Sequence, residues 1–130
     1  CYASNPIIAV LNKIKPPYNV NELTQQKAVV RLQDENLIKN EINSIIKQKE
    51  ELLTVLLDIN FIKKIYPTEA NFILIKVDDA TKRYNQLLEK GIVIRNRTTQ
   101  PLCENCLRLT IGTESENKLL ITALQDLTGF

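Results

Sequence analysis

Two arginines and two cysteines crowd into the stretch GIVIRNRTTQPLCENCLRLTIGT, residues 91–113, and both residue types could do chemistry there. Arg95 ends one apolar run, Arg108 interrupts another, and Cys103 and Cys106 lie between them. A guanidinium presents its N–H donors in a planar fork that matches a carboxylate or a phosphate. A Cys-x-x-Cys pair can ligate a metal or cycle between dithiol and disulfide. The stretch can therefore hold a metal, hold an anion, or simply face water.

The metal option is weak. A zinc site asks for four ligands, usually Cys or His. The chain has 3 Cys and no His, so Cys103 and Cys106 have no second pair to complete a site. A redox Cys-x-x-Cys normally opens a helix, whose N-terminus lowers the thiol pKa. Cys106 instead begins an alternating, strand-like pattern. The expectation is two ordinary thiols in a reducing compartment, with no metal.

The anion option follows from alternation. Successive side chains of a strand point to opposite faces. Leu107, Leu109 and Ile111 share one face, which must be the core face, leaving Cys106, Arg108 and Thr110 on the other. Ile92 and Ile94 separate in the same way from Val93 and Arg95. Both arginines are thus predicted on the face that helices do not cover. An isolated strand arginine is most simply a solvated residue. Here Arg108 sits mid-strand between apolar neighbours, and the segment NRTTQPLCEN is a long polar loop of the kind that carries function. A carboxylate or phosphate is the fitting ligand.

The elements that must position these residues read as follows. Asn5 before Pro6 predicts an N-cap, and Ile7, Ile8, Leu11 and Ile14 give a short helix ended by Pro16 and Pro17. Asn21 caps a second helix through Leu23, Ala28, Val29 and Leu32. A long helix from about Asp34 to Asp58 carries Ile38, Ile42, Ile45, Leu52 and Leu56 on one face. FIKKIYP and ANFILIKV are strands, the second so continuously apolar that burial on both faces is expected. Asp78 and Asp79 start a helix with Ala80, Tyr84, Leu87 and Leu88 on one face, stopped by Gly91. IVIR and CLRLTIG are two further strands, and Thr113-x-x-Glu116 is a capping box opening the last helix. The fold class is α+β: a small, mainly antiparallel sheet with helices packed on one face, preceded by a long helix. Lys47-Gln48-Lys49, Lys63-Lys64 and Arg97 read as solvent-facing.

Bulk properties narrow the partners. Seventeen Lys and Arg against 15 Asp and Glu give a net charge of +2 in 130 residues, too balanced for a dedicated nucleic-acid surface. No apolar run approaches the ~20 residues of a membrane span. The chain contains no Met, so CYASNPIIAV reads as the start of a piece cut from a longer protein.

Four motifs in order, LNKIKPPYNVN, YPTEANFILIKV, GIVIRNRTTQ and CLRLTIGTESENKLLITAL, resemble the histidinol-phosphate aminotransferases over essentially the whole chain. The Lys15-to-Asn19 loop is fairly specific to that family, whereas the Gly91-to-Arg95 and Leu107-to-Thr113 runs occur across many aminotransferases of the same fold. The resemblance implies the C-terminal part of a fold type I pyridoxal-phosphate enzyme, a cytoplasmic homodimer. It would exchange an amino group between glutamate and imidazole acetol phosphate, so its small-molecule substrates include histidinol phosphate and 2-oxoglutarate.

Residues 1–33 would be the tail of the large, cofactor-binding domain and residues 34–130 the small domain. By the same resemblance Arg108 binds the substrate carboxylate and Arg95 the distal anion, while Tyr18 and Asn19 lie in a loop near the subunit interface and the neighbouring active site. The cofactor lysine would lie before Cys1. This chain alone would therefore hold no pyridoxal phosphate, contain no catalytic residue and be inactive. Two other readings stay open: the small domain of a sister aminotransferase or threonine-phosphate decarboxylase, and a free-standing anion-binding regulatory module.

Overall fold

The computed structural model describes residues 2–16, 18 and 20–128. The chain forms two compact units, Cys1–Ile38 and Lys39–Phe130.

The first unit is helical. Helix α1 spans Asn5–Ile14, with Ser4 rather than Asn5 as its N-cap and no side-chain cap hydrogen bond. First-turn N–H groups need no intrahelical partner, so Pro6 is tolerated one position further in and the helix starts a residue early. The ladder opens with Ile8 N donating to Ser4 O at 3.0 Å. Helix α2, Glu22–Leu32, is capped as expected, Asn21 Oδ1 accepting from Thr24 N at 2.9 Å. Neither helix buries a residue, and Ile7, Leu11, Ile14, Leu23 and Val29 are exposed.

Helix α3, Glu35–Leu56, begins in the first unit and continues into the second. Asp34 Oδ1 caps it by accepting from Leu37 N at 3.0 Å. Of its predicted apolar face, Leu52 and Leu56 are fully buried while Ile42 and Ile45 are exposed.

The second unit is the predicted α+β layer pair. Strands β1 (Ile62–Ile65), β2 (Phe72–Val77), β3 (Arg95–Asn96) and β4 (Cys106–Thr110) form one sheet in the order β1-β2-β4-β3, with every pairing antiparallel. Helices α4 (Ala80–Glu89) and α5 (Glu114–Asp126) supply Leu87, Leu120, Ala123 and Leu124 to the core. These join the last turns of α3 and the sheet residues Ile73, Ile75, Val77, Leu107 and Leu109.

Three expectations are corrected here. β2 is not buried on both faces: Ile73, Ile75 and Val77 are buried but Phe72, Leu74 and Lys76 only half so, because the second face carries only side chains of the sheet and its loops. The strand expected over IVIR pairs only at Arg95–Asn96. Ile94 still turns into the core and Val93 still faces out, so the side chains alternate without a ladder to hold them. Leu88 is exposed rather than on the inner face of α4, since that face is already filled by Ala80, Tyr84 and Leu87. Gly91 does end α4. At φ 76° it lets Ile92 N reach Leu87 O and Gly91 N reach Leu88 O, both at 2.9 Å, a Schellman closure.

Candidate anion-binding site

Arg95 on β3 and Arg108 on β4 are direct cross-strand partners. Residues paired in this way project from the same sheet face. Leu107 and Leu109, either side of Arg108, are buried in the core, whereas Arg108 is half-buried and Arg95 exposed. Both arginines therefore stand on the face without helices, as alternation predicted.

Arg108 is held by carbon rather than by acids. Leu74 of β2 is its direct partner on the other side, and its guanidinium carbon lies 5.2 Å from the centroid of the Phe72 ring. That contact is a cation–π seat, which orients the fork while leaving its edge donors free. Nε of Arg108 is buried without a hydrogen-bond partner. Among the described residues no carboxylate pairs with Arg95 or Arg108. Two unpaired guanidiniums, one partly desolvated, make a fitting seat for a bidentate anion.

The remaining candidates fall elsewhere. Tyr18 is exposed in the first unit, and Asn19 lies outside the described residues. Arg97, expected in solvent, is half-buried because its segment folds back on β4, Arg97 N donating to Cys106 O at 2.9 Å. Among the described residues no group of three His, Cys, Asp or Glu is placed to hold a metal ion, and no helix is long and apolar enough to cross a membrane.

A family model described as aminotransferase class I and II matches residues 1–124. The chain belongs to this aminotransferase family. It is 74% identical to the histidinol-phosphate aminotransferase of Flavobacterium johnsoniae over 96% of its own length and 36% of that protein. It is 60% identical to the enzyme of that name from Flavobacterium psychrophilum, over 97% of the chain and 36% of the relative. Its structure is similar to the crystal structure of the histidinol-phosphate aminotransferase from Clostridium acetobutylicum at a TM-score of 0.78 and 28% identity, covering 95% of this chain and 38% of that one. The chain thus spans about a third of the length of the curated relatives it matches.

In this aminotransferase-family fold, a polar clamp that the sequence reading missed secures the turn that follows Arg108's strand. Asn117 of α5 is buried. Its Oδ1 accepts from Gly112 N at 3.0 Å, and its Nδ2 donates to Gly112 O at 3.2 Å and to Gln48 Oε1 at 3.0 Å. Gln48, expected in solvent, is only 8% exposed because this partner on a distant element draws it in. A Cβ on residue 112 would meet Glu116 Oε2 at 2.9 Å and Glu116 Cβ at 3.0 Å, so a larger residue there would press on the Glu116 side chain. Thr113 and Glu116 complete the predicted capping box, Thr113 N donating to Glu116 Oε2 at 2.7 Å. The only hint in the sequence was the Gly-Thr-x-x-Glu-Asn spacing of residues 112–117.

Proposed function

We propose that this chain is the C-terminal part of a histidinol-phosphate aminotransferase, which transfers an amino group between glutamate and imidazole acetol phosphate. The observation that carries the reading is the directly opposed Arg95–Arg108 pair on the open sheet face, with no carboxylate to neutralise it. The names of the Flavobacterium relatives support the substrate class.

In this reading residues 1–33 belong to the large domain and 34–130 form the small domain. Arg108 takes the α-carboxylate of glutamate, a group that imidazole acetol phosphate lacks, its fork aligned by the Phe72 ring. Arg95, exposed at the sheet edge, takes the distal anion, which is the phosphate of one substrate and the side-chain carboxylate of the other. Holding both ends of an extended substrate fixes where its reacting carbon lies, which is the positional part of catalysis. Tyr18 and Asn19 lie near the partner subunit's active site in the homodimer, and the enzyme is cytoplasmic.

Pyridoxal phosphate supplies the electron sink in the full-length enzyme. Four lysines of this chain are already engaged by its own residues. Lys49 donates to Thr68 O, Lys64 lies over the Tyr66 ring, and Lys90 and Lys118 pair with Asp126 and Glu114. The isolated chain is expected to be inactive.

The test is a direct assay of the full-length protein with glutamate and imidazole acetol phosphate, beside aromatic keto acids and threonine phosphate. Preferred use of imidazole acetol phosphate supports the reading. Decarboxylation of threonine phosphate, or a clear preference for an aromatic keto acid, replaces it with a sister activity.

A further inference from the structure

The loop between β3 and β4 is a run of three hydrogen-bonded turns: Gln100 N to Arg97 O at 2.8 Å, Cys103 N to Gln100 O at 3.1 Å, and Cys106 N to Cys103 O at 3.0 Å. The last turn joins the two cysteines directly, with Asn105 in the left-handed region at φ 55°. A four-residue turn brings its first and last Cα atoms within about 7 Å. Disulfides bridge Cα atoms about 4.4–6.8 Å apart. The turn therefore brings the two Cα atoms within about the span that a Cys103–Cys106 bridge covers, and both thiols are free.

The two thiols are unequal in access. Cys103 is half-buried, so a small reagent can reach it. Cys106 is only 1% exposed, and its Sγ folds back over the turn, 3.7 Å from Glu104 O. Burial, with the neighbouring Cys103, pushes the Cys106 thiol up from its ordinary value, so it is not the first to react. Its placement suits a different role, that of second attacker on whatever becomes bonded to Cys103.

We propose that Cys103 and Cys106 form a dithiol that a low-molecular-weight disulfide closes to an intrachain bridge, with Cys103 reacting first and Cys106 resolving. The Cys103 thiolate attacks one sulfur of the small disulfide, forming a mixed disulfide and expelling one small thiolate. Cys106 then loses its proton to solvent, attacks Cys103 Sγ and expels the second. Two protein thiols are oxidised and one small disulfide is reduced to two thiols, so atoms and electrons balance. The consequence is that no bulky adduct persists on the loop beside the cationic face.

The experiment uses the full-length protein with oxidised glutathione, followed by acid quench, denaturation, labelling of free thiols with N-ethylmaleimide and trypsin digestion. Cleavage after Arg97 and Arg108 releases the peptide Thr98–Arg108, which holds both cysteines and not Cys1. The wild-type peptide is expected two hydrogens lighter than the dithiol, carrying neither glutathione nor maleimide. Cys106→Ser should retain glutathione on Cys103, and Cys103→Ser should leave Cys106 free of glutathione and labelled only after denaturation. A wild-type peptide with a lasting glutathione adduct, or with maleimide on both cysteines, overturns the proposal. The wild-type peptide decides the matter even if a variant does not fold.

Discussion

Arg95 and Arg108 oppose each other directly across β3 and β4, like charges on one sheet face. Like charges paired in this way oppose strand association. Among the described residues no acid relieves them, so an arriving anion would find two donor forks whose repulsion it neutralises. On the proposed reading, the pair trades stability of the empty fold for binding.

Arg95→Gln should therefore stabilise the unliganded protein by about 0.2–1 kcal/mol, the usual scale of a cross-strand pair. The same change should weaken use of the phosphorylated substrate more than use of glutamate. Urea unfolding and substrate titration on the full-length protein read the two effects separately. A loss of stability would mean that Arg95 already has a favourable partner in the folded enzyme.

Arg108→Lys should weaken glutamate use sharply, because it removes the planar fork that pairs with the α-carboxylate but keeps the charge. Losing one partner of a buried charge pair costs about 2–5 kcal/mol. Single-turnover half-reactions with each substrate on the full-length protein measure this, with cofactor content expected to stay near wild type. Unchanged rates and affinities would return Arg108 to an ordinary solvated residue.

The face on which both arginines stand was legible in the sequence because strand alternation is local: Leu107 and Leu109 had to point inward, so Arg108 had to point out. The caps at Asn21 and Thr113 and the stop at Gly91 were legible for the same reason. The direct opposition of Arg95 to Arg108 was not, because register depends on how the intervening loop folds into three consecutive turns. Nor was the shortness of β3, since an apolar run such as IVIR packs equally well with or without a ladder. Gln48 read as solvated because its partner Asn117 lies 69 positions away. Phe72 gave no sign that its ring would carry Arg108, as that contact exists only once β2 and β4 are paired.

A second charge pair sets an acid limit on stability. Arg83 grips Asp78 with both arms, Nε to Oδ1 at 2.9 Å and Nη2 to Oδ2 at 2.6 Å, while its guanidinium carbon lies 4.1 Å from the Phe61 ring centroid. The Arg83 hydrogen bonds hold the Asp78 carboxyl down at about 2. A depressed folded-state value means stability that is present above the unfolded value, ~3.9, and is lost as pH falls through about 2. The Asp78 side chain is 35% exposed, so solvent screening reduces the contribution to roughly 1 kcal/mol. Asp78→Asn should lose that amount at neutral pH and flatten the stability profile between about pH 4 and 2. An unchanged acid limb would show that another carboxylate sets it.

The clamp at the end of β4 makes the sharpest stability prediction. Asn117→Ala strands the Gly112 N–H and Gln48 Oε1, both of which depend on the Asn117 side chain. Each buried group left unpaired costs about 1–3 kcal/mol, so the variant should lose roughly 2–4 kcal/mol. Gln48→Ala alone should cost less, because Asn117 Nδ2 keeps its bond to Gly112 O. In the double variant the Gln48 carbonyl is no longer orphaned, so the two losses should sum to more than the double loss by about 1 kcal/mol. Independent sites add within ~0.5 kcal/mol. An additive result in urea unfolding would mean that the two amides do not act as one unit. A coupled result would also bear on Arg108, because the Gly112 turn fixes where β4 ends. Asn117→Ala should then weaken substrate-carboxylate binding without touching any substrate atom, whereas Gln48→Ala, which leaves both Gly112 bonds in place, should weaken it less.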